Sequence, residues 1–366
     1  MAIIKDVLFL VKRYKVGYTL KTGMKRMDNP IPRSSNWVSA GILRKAMESP
    51  NGAERGTMKI IAVLLALALV FPGAAALPAA QAQDVYHVAA SFYPVYVIAQ
   101  NVLEGVEGVE ITSLAPGVSG CLHDYQLLAS DMKALSQADV FLINGAGMET
   151  YLDAISAQMP GLPIIDASQG IELLPNDISH EEHGHTTDDG HDHDHGEFNS
   201  HIWLSPRNAA MMADNMARGL AKLLPEHEER MLENAQNFLI RMTALQKEIA
   251  DGLKDVKRRD IVTFHEAFPY FAKAFDLHTV AVINREPDQP LPPSLLAEVT
   301  QQVKEAGNPP LFIEAQYSDL AAKVISQETG AKVFELDPVV SGAGGLDAYE
   351  TAMLKNLKVL QEALNQ

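Results

Sequence analysis

Histidine and acidic side chains are concentrated in one stretch of the chain, from His180 to Glu197. Three residues after it comes the segment 201–206, in which a histidine is followed by Ser205 and Pro206, a pair typical of a helix start. Imidazole and carboxylate are ligands that a divalent cation such as zinc prefers. We interpret His201 as a ligand of one defined metal site and the tract as an auxiliary collector of metal ions. The tract contains the histidines His180, His183, His185, His191, His193 and His195.

Other side chains that can bind metals follow predicted strands in both halves of the chain. Parallel α/β sheets bind ligands outside the carboxyl ends of their strands, so these side chains are expected to converge on one cleft. Three imidazoles and one carboxylate make a closed tetrahedral shell that suits Zn²⁺, or Mn²⁺ when the carboxylate is bidentate. A closed shell leaves no position for a reacting water, which favours binding over catalysis. The candidates are His123, His201 and His265, with Glu314 or Asp337 as the carboxylate.

Each of these residues also has a plainer interpretation. In its apolar surroundings His265 can be a hydrogen-bonded core histidine, and His123 can be an ordinary loop residue. Glu314 can cap a helix, and it fits better as a partner that holds a histidine tautomer than as a ligand. Asp337, before Pro338, can simply start a turn. The tract can be only a solvated loop. The shared position of the candidates at strand ends of both halves favours the joint site.

Strand and helix patterns alternate along most of the chain and fall into two groups. Between the groups, an apolar period near 3.6 predicts one long helix over 226–256, more than about 40 Å in length at about 1.5 Å per residue. The pattern predicts an α/β protein of two lobes, each a four-stranded, mostly parallel sheet with flanking helices, joined by one long backbone helix. The predicted lobes are 83–225, which contains the His/Asp-rich loop 177–200, and 257–366.

The N-terminal region predicts export. Residues 60–83 carry no charge, Lys59 precedes them, and prolines and an Ala-x-Ala sequence follow the apolar core. This is the order of a secretory signal peptide, which we predict over 58–82 with cleavage near Ala82. A membrane anchor is the alternative, but the apolar core is shorter than the ~20 residues needed to span a bilayer. Residues 1–57 are interpreted as an extension of doubtful translation, the alternative being a genuine extension with its own role.

Composition and charge limit the classes of function. The 366 residues are 47% hydrophobic and 21% charged, which is typical of a soluble globular protein with more than one lobe. A net charge of −16 argues against a nucleic-acid partner and is compatible with a cation binder. The single cysteine, Cys121, excludes an intramolecular disulfide and a Cys-rich zinc ribbon. Because no cysteine ends the export signal, we also predict that the chain is not a lipoprotein.

Several segments resemble motifs of one family, the periplasmic substrate-binding proteins of zinc and manganese ABC importers (cluster A-I). Segment 201–206 is very close to the family's His-x-Trp-Leu-Ser/Asp-Pro motif, and the resemblance extends over nearly all of 84–366. The other matching segments are 91–94, 130–135, 138–139, 144–145, 264–271 and 336–338. The resemblance implies two lobes joined by a long backbone helix, with little hinge motion and one cation between them.

The resemblance also implies a ligand set, a metal and a partner. The family's ligands carry over onto His123, His201 and His265, with Asp337 as the usual fourth. Three histidines and an acidic, His-rich loop are similar to the zinc members, so zinc is predicted, with Mn²⁺ or Fe²⁺ as alternatives. The implied protein is a periplasmic monomer that delivers its ion to the membrane permease of an ABC importer.

The chain departs from the family's sequence pattern just after His123. After this histidine the family usually has Glu and Pro, whereas residues 124–127 are Asp, Tyr, Gln and Leu. The geometry of the loop is therefore left open by the sequence. His123 is retained because it is the only histidine in that region, and Cys121, two residues away, is an alternative soft ligand.

Two other classes of function compete with metal delivery. A secreted zinc hydrolase would bind the same ion, but the sequence has no His-Glu-x-x-His motif, and its candidate ligands lie at scattered strand ends. We therefore predict that the protein is not an enzyme. A secreted metal buffer or adhesin would need no permease, and the sequence does not separate this class from a transport component.

Overall fold

The structure, a computed structural model, describes residues 85–115, 125–176, 197–283 and 291–366. The first half of the described chain forms one sheet, whose strands are β1 (Tyr86–Ala90), β2 (Val109–Ser113), β3 (Val140–Ile143) and β4 (Ile164–Asp166). Their order across the sheet is β2-β1-β3-β4, and every pairing is parallel. All four residues of β3 are buried, as expected for a strand covered on both faces.

Four helices accompany this sheet in the described part of the chain. They are α1 (Tyr93–Val102), α2 (Ala129–Ser136), α3 (Leu152–Gln158) and α4 (Pro206–Leu223). α4 begins where the sequence predicts, because proline fits the first helical turn and the Ser205 side chain accepts a hydrogen bond from the Asn208 N–H at 3.4 Å. A short 3₁₀ helix, Ile202–Leu204, comes just before it. The segment with His201 is therefore attached directly to the start of a buried helix.

One long helix, α5 (Glu228–Gly252), lies between the two halves in sequence. Its 25 residues correspond to about 38 Å. It is shorter than the predicted 226–256, because residues 225–227 form a separate 3₁₀ turn and the helix ends at Gly252. Its buried apolar residues recur at the predicted helical spacing and are Met231, Ala235, Phe238, Met242, Leu245 and Ile249.

The second half repeats the architecture of the first. Its strands are β5 (Asp260–Thr263), β6 (His278–Val282), β7 (Leu311–Ile313) and β8 (Val333–Glu335). They form a parallel sheet in the order β6-β5-β7-β8. Its helices are α6 (Pro269–Phe275), α7 (Pro293–Glu305), α8 (Leu320–Thr329) and α9 (Ala348–Leu364). The strand order is the same in both halves, and the predicted α/β fold with two four-stranded parallel sheets is confirmed.

Within the described ranges, the largest hydrophobic cluster extends across both halves. It contains Trp203 from the segment before α4, Phe238 from α5 and Tyr349 from α9, all fully buried. Two smaller clusters lie around Phe141 in the first sheet and Val262 in the second. Because close-packed interiors resist deformation, a shared core limits relative movement of the lobes. The exact domain boundaries, at 225/226 and 256/257, stay predictions.

Two expectations concern export and membranes. Among the described residues, no helix combines the length and the apolar character needed to cross a membrane. The predicted signal peptide, 58–82, and the extension 1–57 lie outside the described residues.

Candidate metal site

His201 lies at the end of the polar segment that leads into α4, and its side chain is buried. Its backbone N–H donates to Asn199 Oδ1 at 3.1 Å, and its ring Nδ1 lies 3.3 Å from the same oxygen. The Asn199 side-chain nitrogen donates to the Glu266 carbonyl oxygen at 2.8 Å. This second bond fixes the orientation of the amide, with its oxygen toward the histidine. The imidazole is therefore oriented by a residue two positions upstream.

His265 lies two residues after β5, at the carboxyl edge of the second sheet, and is also buried. Because β7 pairs with β5, Glu314, which directly follows β7, comes to lie beside it. Glu314 Oε1 is 2.5 Å from His265 Nδ1, and both side chains are almost inaccessible to solvent. Tyr317 packs edge-on against the imidazole, with ring centroids 5.2 Å apart. This imidazole is held by a carboxylate on one side and an aromatic ring on another.

The two imidazoles lie close together although they come from different lobes. The ring centroids of His201 and His265 are 5.2 Å apart, and the ring planes make an angle of 72°. In each ring Nδ1 faces an oxygen that only accepts hydrogen bonds, so Nδ1 carries the proton and the lone pair is on Nε2. Zinc–nitrogen bonds are about 2.0–2.1 Å long. Two imidazoles in this arrangement can therefore serve as ligands of one ion.

Both carboxylate oxygens of Glu314 have partners. One oxygen contacts His265, and Oε2 accepts a hydrogen bond from Gln316 Nε2 at 3.0 Å. A buried carboxylate behind an imidazole fixes the ring's tautomer and makes it a stronger metal ligand. The geometry therefore fits a role in positioning His265 better than a role as a direct ligand.

Asp337 follows β8 and is half-buried. Its Oδ1 accepts a hydrogen bond from the Val339 N–H at 2.7 Å, which is the local turn that its position before Pro338 predicts. Its backbone N–H and carbonyl oxygen pair with the Asn356 side chain at 2.8 and 2.7 Å. Within the four described ranges, no three His, Cys, Asp or Glu side chains form a group that could hold a metal ion. The role of Asp337 as a ligand therefore stays a prediction.

The remaining predicted ligands, His123 and the auxiliary histidines between 180 and 195, lie outside the described residues. The description resumes at Tyr125, whose ring packs edge-on against Phe92 and Tyr151 at centroid distances of 6.1 and 6.2 Å. Its hydroxyl donates to Asp131 Oδ2 at 2.6 Å. The chain is therefore anchored to the first lobe two residues after the predicted ligand.

Hydrogen bonds from aromatic side chains tie the segment around His201 to the second lobe, and no sequence pattern predicted them. Trp203 Nε1 donates to the Pro338 carbonyl oxygen at 2.8 Å, and the Tyr349 hydroxyl donates to the Trp203 carbonyl oxygen at 2.6 Å. The Tyr270 hydroxyl donates to the Asn199 carbonyl oxygen at 2.7 Å. Burial raises the pKa of both tyrosine hydroxyls above 10.0, so they stay protonated donors. The segment is thus held by the other lobe on both sides of its histidine.

The chain is similar in sequence to known bacterial proteins named for zinc binding or zinc uptake. Zinc-binding lipoprotein AdcA of Streptococcus pneumoniae serotype 4 is 31% identical over 323 residues, which cover 84% of this chain and 62% of AdcA. High-affinity zinc uptake system protein ZnuA of Bacillus subtilis is 27% identical over 294 residues, covering 77% of this chain and 88% of ZnuA. The chain thus spans less than two thirds of AdcA.

A solved structure and a family model also match the chain. The solved structure of a Zn(II)-bound AdcAII variant of Streptococcus pneumoniae is 25% identical, with a TM-score of 0.65, and the match covers 77% of this chain and 99% of that one. Residues 88–363 match the family model described as zinc-uptake complex component A, periplasmic. The resemblance predicted from the motifs is confirmed, and the chain belongs to the family of periplasmic zinc-uptake component A proteins.

Proposed function

We propose that the protein is the extracytoplasmic substrate-binding component of a metal importer. It captures one divalent metal ion, with zinc as the preferred ion, between its lobes and delivers it to an ABC permease. The observation that carries the proposal is the pair His201 and His265, two buried imidazoles from different lobes with Nδ1 engaged in each. His123 and Asp337 complete the proposed ligand set.

The charge near the pair supports a cation as the substrate. Glu314 is 1% exposed and lies directly behind His265, where its negative charge helps to balance a cation held by neutral imidazoles. The chain as a whole carries a net charge of −16, which raises the local concentration of cations. Both effects act on any divalent metal, so the choice of metal depends on the ligand types.

Zinc is proposed ahead of manganese and iron because the described ligands are imidazoles. Imidazole suits zinc, whereas carboxylate, carbonyl and water ligands suit manganese. The relatives AdcA and ZnuA are also named for zinc binding and zinc uptake. A manganese- or iron-specific binder is the alternative within the same family, and competition between the three metals for one protein sample separates them.

The proposal makes the protein a carrier and not an enzyme. Glu314, the buried carboxylate beside the imidazole pair, has both oxygens engaged by His265 and Gln316. A general base must reach the water it activates, so this carboxylate is poorly placed for hydrolysis. A secreted buffer or adhesin that keeps its ion is the other alternative. Transfer of bound zinc into vesicles that contain the permease distinguishes a carrier from a buffer.

The expected location is the periplasm, as a monomer without a lipid anchor and without a nucleic-acid partner. AdcA is named a lipoprotein, so the absence of an anchor needs its own test. Mass spectrometry of the exported protein should show a chain that starts near residue 83 and carries no lipid. A lipid-modified N-terminus would contradict this part of the proposal.

Competitive zinc titration tests the metal site. The protein is titrated against a chelating indicator beside His265→Ala and a variant that lacks residues 180–197. We expect one tight site that survives the deletion and is weakened by roughly 100-fold or more in His265→Ala, because a ligand and not merely its support is removed. His278→Ala is the matched control, since His278 is an exposed histidine of the same lobe, paired with Asp260.

Two outcomes would contradict the proposal. If tight binding is lost with 180–197 and is insensitive to His265→Ala, the cleft site is wrong and the protein is a histidine-loop chelator on an α/β scaffold. If manganese or iron displaces zinc at equal concentration, the preference for zinc is wrong although the site stands.

A further inference from the structure

Glu149 is a buried acidic residue that the proposed metal site does not use. It lies shortly after β3 and is 5% exposed. Its Oε1 accepts hydrogen bonds from the Ser91 hydroxyl and the Asn144 backbone N–H, both at 2.7 Å, and its Oε2 accepts one from the Gly145 N–H at 3.0 Å. Because Ser91 directly follows β1 and Asn144 directly follows β3, this carboxylate joins the ends of two adjacent strands.

The turn that this carboxylate closes has a conformation that requires glycine. Gly145 has a φ of +76°, and a Cβ at this position would collide with the Asp166 carboxylate. The Met148 N–H donates to the Gly145 carbonyl oxygen at 3.1 Å, which makes 145–148 a tight turn. The residues at the two ends of the turn are therefore held at a defined separation.

Asn144, directly before the turn, and Met148, at its end, both contact Ser200, the residue that precedes His201. Asn144 Nδ2 donates to the Ser200 carbonyl oxygen at 3.0 Å, and the Ser200 hydroxyl donates to Met148 Sδ at 3.9 Å. Asn144, Met148 and Ser200 are all buried. The backbone that enters the histidine is thus held by the first lobe at Ser200 and by the second lobe at Asn199, whereas the backbone that leaves it is held by the second lobe.

We propose that Asn144 and Glu149 are positioning residues for His201, an inference that rests on the proposed metal site. Glu149 fixes the turn through its hydrogen bonds with Asn144 and Gly145. The Asn144 side chain then fixes the peptide group of Ser200 through its hydrogen bond to the Ser200 carbonyl oxygen. The imidazole then keeps its place relative to His265 without rearrangement when the ion arrives. Such preorganisation matters because metal sites tolerate displacements of only about 0.5 Å in their ligands.

A double-mutant cycle between Asn144 and His201 tests the proposal. Zinc affinity is measured by competitive titration of the full chain for Asn144→Ala, His201→Ala and the double variant. We expect Asn144→Ala to weaken zinc binding about tenfold, the lower end of the range for groups behind metal ligands. It should have no further effect in the His201→Ala background, because a group that acts through an imidazole loses its effect when that imidazole is removed.

Asn234→Ala is the matched control. Asn234 is also buried, and its amide donates to the backbone carbonyl oxygens of Val102 and Glu104 at 3.0 and 2.8 Å. The Asn144 amide likewise donates to two, those of Gly145 and Ser200, at 2.8 and 3.0 Å. Asn144→Ala and Asn234→Ala should therefore lower the melting temperature of the metal-free protein to similar extents, whereas only Asn144→Ala should lower zinc affinity. Equal zinc affinities of the two variants would overturn the positioning role.

Further variants keep the test decisive. If Asn144→Ala does not fold, Asn144→Asp replaces it, because it keeps the side-chain volume but turns an oxygen toward the Ser200 carbonyl; the same tenfold loss is expected. Glu149→Gln should show a similar loss, since its amide N–H groups would meet the Gly145 N–H. Independent, multiplicative effects of Asn144→Ala and His201→Ala overturn the positioning role alone. Zinc affinity that is unchanged in His201→Ala overturns the proposed function itself.

Discussion

Acidification from pH 8 to pH 5 is expected to stabilise the metal-free fold through Glu149. Burial raises the pKa of this carboxyl from 4.5 to about 7, while its hydrogen bonds from Ser91, Asn144 and Gly145 act in the opposite direction. The folded protein therefore binds this proton more tightly than the unfolded chain does. The resulting stabilisation is complete below the unfolded pKa of 4.5 and is lost as the pH rises through about 7.

The magnitude follows from the same two values. A difference of one pH unit in pKa corresponds to about 1.4 kcal/mol, so a rise from 4.5 to about 7 corresponds to about 3 kcal/mol. Most of this change falls between pH 5 and pH 7. This change in the free energy of unfolding is a large part of the ~5–15 kcal/mol by which proteins are typically stable, so it is large enough to measure.

Urea denaturation of the metal-free protein at pH 5, 6, 7 and 8 measures the effect, with Glu149→Gln as the reference because glutamine does not titrate. The free energy of unfolding of the wild type, relative to that of Glu149→Gln, should rise by roughly 2–3 kcal/mol from pH 8 to pH 5. A constant difference would refute the argument from burial. A difference that falls on acidification would mean that the three hydrogen bonds to the carboxylate outweigh its desolvation.

Three further predictions concern single contacts. Glu314→Gln should weaken zinc binding about tenfold in a competitive titration, because a neutral amide makes His265 a weaker ligand than a carboxylate does; unchanged affinity would contradict its role. Trp203→Phe should lower the free energy of unfolding in urea by about 1–3 kcal/mol, because it leaves the Pro338 carbonyl oxygen unpaired. Gly145→Ala should cost more than about 2 kcal/mol, and Gly147→Ala, whose φ is +80° but whose Cβ would meet open space, only about 1 kcal/mol. Equal losses at the two glycines would show that the collision is relieved.

The alternation of strands and helices was predictable because its signals are local. A buried strand such as β3 is a short apolar run, and proline in the first turn marks the starts of α1, α4 and α6. His201 and His265 could be selected because each stands near the carboxyl edge of a predicted sheet, and the structure brings their rings together. The end of α5 was misplaced because its apolar period continues past the residue at which the helix stops.

Glu314 was expected to hold a histidine tautomer and it contacts His265, but the contacts that position His201 from the first lobe were not predictable, because they join residues far apart in sequence. Asn144 and Ser200 are 56 positions apart, and Ser91 and Glu149 are 58 positions apart. A buried polar side chain needs a hydrogen-bond partner, but its residue type does not show which one. The contact of Asn199 with His201 was not predicted for a different reason, because a polar residue in a predicted loop carries no signal of burial.

The repeated topology explains why a polar residue of each lobe contacts a candidate ligand histidine or the residue before it. β3 and β7 occupy the same place in their sheets, each beside the first strand, and each is followed directly by such a residue. After β7, Glu314 contacts the ring of His265, whereas after β3, Asn144 contacts the peptide group that precedes His201.

Because these residues act on different imidazoles through different partners, their effects on zinc affinity should combine independently. The double variant Asn144→Ala with Glu314→Gln should bind zinc about a hundredfold more weakly than the wild type, the product of two losses of about tenfold each. Competitive titration of both single variants and the double variant measures this. A double variant no weaker than either single variant would mean that one imidazole alone determines the affinity, and that the two lobes do not contribute equivalent ligands.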